Sequence, residues 1–145
     1  MREILFRGKN KYNNEWVYGQ LIIGNNYNFI ITKEDYDDVV ASFQTLVCQC
    51  HPVEKTPNTV GQYTGLTDKN GKKIFEGDIV GCFCNTQLFE VKWCDVRGGY
   101  FLDDVVLSSC CEPAPECLGN LTDTMEIIGN IWDNPELLKE NEDDR

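Results

Sequence analysis

Apolar and polar residues alternate along short stretches of this chain, and turn-forming clusters separate the stretches. Ile4 and Phe6 alternate with Leu5 and Arg7, after which GKNKYNNE reads as a polar turn. WVYGQLII (Trp16 to Ile23) is rich in strand formers, Gly24-Asn25-Asn26 marks a turn, and YNFIIT (Tyr27 to Thr32) resumes the strand pattern. These elements predict a meander of adjacent antiparallel strands. Lys33 to Asp38 is a charged connection, Val39 to Gln49 leans towards strand on its β-branched content, and the two prolines of His51 to Thr59 predict a loop. Further on, Phe89, Val91 and Trp93 alternate with Glu90 and Lys92, a half-buried strand that points Trp93 inward. A turn at Asp95 to Gly99 leads to a short strand, Tyr100 to Leu102. Asp103 to Asp123 predicts a loop with some strand, and Glu126 to Trp132 a final strand. Asp133 or Asn134 then caps a short helix, with Pro135 in its first position and Leu137 and Leu138 facing inward.

The stretch Val60 to Val80 organises the middle of the chain. Asp68-Lys69-Asn70-Gly71 is a turn signal, with Asn-Gly as a type I′ turn demands. Gly77 is expected to hold a backbone conformation that a Cβ resists, and Asp78 to bond the turn backbone before an apolar strand. Gly-Asp at such a strand entry is frequent in small SH3-like barrels. The expected fold is therefore mostly β with minor α, as one domain over 1–139. The meander comes first and a short helix last, and 140–145 frays as an acidic tail.

Composition narrows the functions. The chain has 145 residues and a net charge of −11, and Glu136 to Arg145 account for only −3 of it. An acidic body is a poor partner for nucleic acid or an anionic membrane, both of which attract clustered Lys and Arg. The start MREILFRGKN has only a three-residue apolar run and does not look like a signal peptide, so a cytoplasmic protein is expected. In that reducing setting the 8 cysteines are thiols or metal ligands.

Cys48, Cys50 and His51, with Cys82 and Cys84, are the candidate zinc ligands. A one-residue gap on a strand puts two sulfurs on one face about 7 Å apart, too far to share one zinc without a bend. The competing expectation is that these cysteines are small buried hydrophobes and that the chain holds no cofactor. His51 is the only histidine; pairing with Cys48 or Cys50 would give an activated thiolate, but sequence neighbours on a strand point apart. Glu76 and Asp78 have the spacing of an acid pair, though shaping a turn is the commoner use of Asp beside Gly. Gly61, Gly65, Gly71 and Gly77 lack the Gly-Lys-Ser/Thr of a phosphate loop. Trp16, Tyr18, Trp93 and Trp132 are core residues or interface anchors. The acidic runs Glu34 to Asp38 and Asp103-Asp104 are solvated surface, or a phosphate-mimicking face for a basic host protein.

Three stretches resemble the YopX family of small bacterial and bacteriophage proteins: FRGKNKYNNEWVYGQLI (Phe6 to Ile22), TVGQYTGLTDKNGKKIFEGDIV (Thr59 to Val80) and EIIGNIWDNPELL (Glu126 to Leu138). EVKW (Glu90 to Trp93) sits where the family has a similar strand. The resemblance implies a β-rich fold with barrel-like subdomains, a barrel-like N-terminal meander (about 1–58) and an SH3-like small barrel (about 59–134). It also implies a phage or prophage setting and a homo-oligomer, a ring such as a pentamer. It carries over no catalytic residue. Cys48 to His51 and Cys110-Cys111 lie outside the family pattern. The expectation is a non-enzymatic accessory or protein-interaction module acting as a homo-oligomer, with a host or phage protein as a further partner. The rival is an enzyme with a Cys- or carboxylate-based site in a subunit cleft.

Overall fold

Ten strands follow one another along the residues that the computed structural model describes, 3–32, 50–82, 88–96, 98–104 and 125–137. The chain divides into two compact units, Met1–Tyr63 and Thr64–Arg145. The mostly β expectation holds, with two antiparallel sheets.

In the first unit, β1 (Phe6–Lys9), β2 (Trp16–Ile23), β3 (Tyr27–Ile31) and β4 (His51–Glu54) lie side by side in the order β4-β3-β2-β1. The start of β5 (Gly61–Thr67) flanks β1 on its other side, pairing Arg7 with Gly61. The meander is thus the one the alternation predicts. Asparagines shape its first turn: the Asn10 side-chain oxygen accepts the Tyr12 N–H at 2.8 Å, and Asn14 takes a φ of 59°, which Asn tolerates better than most residues. Ile30 and Val53 are wholly buried on one face of the sheet.

The prolines misled at His51 to Thr59, where residues 51–54 form β4 rather than a loop. Among the described strands β4 ends the order, so the missing N–H of Pro52 interrupts no second ladder there, while its carbonyl accepts the Lys11 N–H at 2.8 Å. Val39 to Gln49 and the charged connection before it lie outside the described residues.

In the second unit, β5 continues and β6 (Lys73–Phe75) is its neighbour. A second sheet has the order β10-β7-β8-β9, from β10 (Met125–Asn130), β7 (Asp78–Cys82), β8 (Leu88–Cys94) and β9 (Gly99–Asp104). The core of this unit is Ile74 of β6 with Val80, Val91, Leu102 and Met125 of the second sheet. β10 carries a register shift between Ile127 and Gly129, which leaves Ile128 47% exposed.

The β5–β6 turn differs from the type I′ expectation. Gly71 has φ +80° while Asn70 stays at negative φ, and the Gly71 N–H donates to the Asp68 carbonyl at 3.0 Å. This is a type I turn closed by a left-handed glycine. The Asp68 carboxylate causes it by accepting the N–H groups of Asn70 and Lys72, which winds the residues between them into a helical turn. Gly77 and Asp78 behave as the sequence suggests. Gly77 has φ +86°, and Asp78 accepts the Phe75 N–H at 2.7 Å. A Cβ on Gly77 would meet Ile131 only at ordinary contact distance, so strain at that φ sets the cost of substitution. Gly77→Ala is expected to lose about 1–2 kcal/mol, read as a lower urea midpoint at unchanged slope.

Trp93 departs from its predicted inward place: it is 45% exposed, whereas Val91 and Cys94 are buried. An indole carries an N–H that needs an acceptor, and Asp95 supplies one at 2.8 Å on the surface. The C-terminal helix begins as expected, with the Leu137 N–H donating to the Asn134 carbonyl at 3.1 Å. Its continuation through Leu138 and the acidic tail lie outside the described residues, as does 105–123 of the predicted loop. No helix among the described residues is long and apolar enough to cross a membrane.

Candidate functional site

The sequence-derived zinc candidates are placed only in part. Cys48 and Cys84 lie outside the described residues, and Cys82 ends β7 opposite Met125. Cys50 is half-buried, and His51 opens β4, where its ring Nδ1 sits 3.1 Å from the Asn10 side-chain nitrogen. Because the Asn10 oxygen is already held by the Tyr12 N–H, the Asn10 amide group is the donor and His51 Nδ1 the acceptor. His51 thus fastens the β1–β2 turn to β4. Among the described residues no three Cys, His, Asp or Glu side chains gather as a metal site. Cys94 is buried like a small hydrophobe. Cys110, Cys111, Cys117 and Glu34 to Asp38 fall outside the described residues.

The acid pair resolves into separate tasks. Asp78 is 2% exposed and its carboxylate shapes the turn before β7, while Glu76 is half-buried.

Two surface clusters stand out instead. The first is built on β1. Register pairs Arg7 with Tyr18 and Lys9 with Trp16, so these four side chains share one face of the β1–β2 ladder. The Arg7 guanidinium, buried, lies 4.6 Å from the centre of the Trp16 ring, and the Lys9 ammonium lies 5.3 Å from it. In the turn that follows, Lys11 sits 4.1 Å from the Tyr27 ring and 5.5 Å from that of Tyr12. Lys11 also donates to the Tyr27 hydroxyl, and this bond above all holds its ammonium above the ordinary lysine range. Cations over ring faces are attracted by the ring quadrupole. The alternation of Arg7, Lys9 and Lys11 was legible in the sequence, but the rings they meet come from β2 and β3 and needed the register.

The second cluster lies on the β8–β9 hairpin. Trp93 and Tyr100 pair across the strands, edge to face, with ring centres 5.0 Å apart. Asp95 fixes the indole, and Val96 at the turn is 84% exposed. Of the sequence's aromatic candidates, Trp16 and Trp132 are half-buried and Tyr18 is exposed.

No curated protein matches the chain. Among solved structures it is similar to the crystal structure of protein EF1440 from Enterococcus faecalis, with a TM-score of 0.56 and 23% identity over 95% of this chain and 99% of that one. That likeness is one of fold, and it agrees with the two-sheet architecture. The family model described as YopX protein matches residues 5–139, nearly the whole chain, and the chain belongs to the YopX family.

Proposed function

We propose that this chain is a non-enzymatic accessory or protein-interaction module that works as a homo-oligomer, with its second unit an SH3-like barrel. The observation that carries the reading is the Trp93 ledge. An indole fixed by Asp95 and by Tyr100, yet 45% exposed, is already ordered, and burying it against a partner costs little side-chain entropy. Trp and Tyr are the residues that most often dominate the energy of a protein interface. Val96 beside it extends the apolar area. The phage or prophage setting comes from the family resemblance, as does a ring such as a pentamer. Zinc has no part in this reading.

Light scattering at micromolar concentration is expected to give a mass several times 16.6 kDa. Trp93→Ala should lower that mass at equal concentration and leave the circular dichroism of the fold unchanged. A monomeric wild type would sink the reading, and an oligomer untouched by Trp93→Ala would remove the ledge from it.

A further inference from the structure

We infer that the cation and ring face of the first unit binds single-stranded nucleic acid. The chain's acidity gives the opposite expectation only when it is averaged over the whole sequence. Residues 1–63 carry 6 cations and 7 acids, a net of −1, whereas residues 64–145 carry 7 cations and 17 acids, a net of −10. Of the seven acids in residues 1–63, four fall in the short run Glu34 to Asp38. The repulsion that a net of −11 implies therefore belongs to the second unit.

The cations of the first unit are grouped. Lys9 ends β1 and Lys11 lies in the turn that follows, against the Tyr27 ring, and Lys55 follows Glu54, the register partner of Tyr27. Lys11 and Lys55 are exposed and Lys9 half-buried. Arg7, buried over Trp16, positions that ring rather than meeting a ligand. Exposed rings flank the row: Tyr12 is 79% exposed and Tyr18 46%. Cations alone would suit any anionic chain. A row of cations bordered by exposed rings suits one whose phosphates repeat beside flat bases, because every base offers a face to stack and the contact needs no sequence readout. A duplex hides those faces. Glu15 and Glu54 border the row, so the site is small and binding is weak and salt-sensitive.

The test titrates the full chain into fluorescein-labelled oligothymidylate of about ten nucleotides, read by fluorescence anisotropy from low salt upward. Saturable binding is expected. With two or three phosphate contacts, the log–log salt slope should be about −1.5 to −2. The double variant Lys9→Glu/Lys11→Glu should weaken binding at least tenfold, and Lys72→Glu/Lys73→Glu, a control in the second unit, should leave it unchanged. Tyr12→Ala/Tyr18→Ala should weaken it by at least about fivefold at an unchanged salt slope, since stacking releases no counterions. If the charge reversal does not fold, Lys9→Gln/Lys11→Gln replaces it with the same expected direction. Absence of saturable binding at low salt overturns the inference, as do equal losses in the two charge-reversal variants. Displacement by polyglutamate as readily as by unlabelled oligonucleotide, with no effect of the tyrosine substitutions, marks a site for acidic polypeptide and also overturns it.

Discussion

Gly19→Ala is expected to unfold the first unit or to cost at least about 3 kcal/mol, the upper end of ordinary overpacking. A Cβ at residue 19 would lie 1.9 Å from the Ile31 carbonyl oxygen and 2.6 Å from its carbon, with the Thr32 Cα at 3.0 Å. These are backbone atoms, so no rotamer change relieves the clash. Gly19 faces Phe6 in the β1–β2 ladder, and the next residue, Gln20, pairs with Ile31. The added methyl must therefore push the end of β3 away from β2 and break the pairing that follows. Gly99→Ala is the control. Its Cβ meets nothing within 4 Å, and a change within about 0.5 kcal/mol is expected. Urea unfolding, with amide exchange across β2 and β3, measures both. A Gly19→Ala protein within 1 kcal/mol of wild type would mean that β3 does not close over residue 19.

Gly19 shows what periodicity leaves out. WVYGQLII announced a strand, and the strand runs over the predicted residues. The glycine inside it carries no local signal, because the reason for it is a carbonyl twelve residues away. Elements whose residues act locally were legible: the alternation of β8, the left-handed Gly77, the Asp78 turn bond and the Pro135 helix start. Proline hides β4, because it forbids a central strand but not one at the end of the order of the described strands. Alternation places Trp93 on the face of Val91 but does not show that this end of the β8–β9 hairpin lies open to solvent, where Asp95 accepts the indole N–H. The candidate sites suffered most. Arg7, Lys9 and Lys11 stand plainly in FRGKNK, yet their meaning depends on Trp16 and Tyr27, which only register brings beside them. The cysteines drew the eye through chemistry; of those described, Cys94 is buried in the manner of a small hydrophobe.

Asp68 carries the second large effect, and its reach was equally hidden. The sequence marks Asp68 as the first residue of a turn, and the carboxylate does bond that turn through one oxygen, accepting the Asn70 and Lys72 N–H groups at 2.9 Å each. Its other oxygen accepts the Ile127 N–H of β10 at 3.1 Å, and the neighbouring Lys69 N–H donates to the Met125 carbonyl at 2.9 Å. One side chain, 5% exposed, thus holds the β5–β6 turn to a strand 59 residues later. Asp68→Ala strands three backbone donors around a buried site. The loss is expected near 3 kcal/mol, since bonds to a charged acceptor are each worth about 1.5–3 kcal/mol and water recovers part of them. Asp68→Asn keeps one acceptor oxygen but turns an amide N–H₂ towards a donor, so it should rescue only part.

The pH dependence separates this account from a purely steric one. Burial alone would raise the Asp68 carboxyl pKa, but the three backbone bonds, with Lys72 adding to them, outweigh burial and hold it below its ordinary value of 3.8. A carboxylate depressed in the folded state contributes stability that is fully present above the unfolded value and is lost as pH falls towards the folded one. The gap in urea midpoint between wild type and Asp68→Ala should therefore hold steady from neutral pH to about 5 and narrow below about 4. A gap that instead grew as pH fell would mean that the folded protein favours the protonated acid, with burial winning over the backbone donors. A gap that stayed constant to the lowest accessible pH would assign the loss to packing, and the turn's hold on β10 would then rest on the Lys69 and Met125 backbone bond.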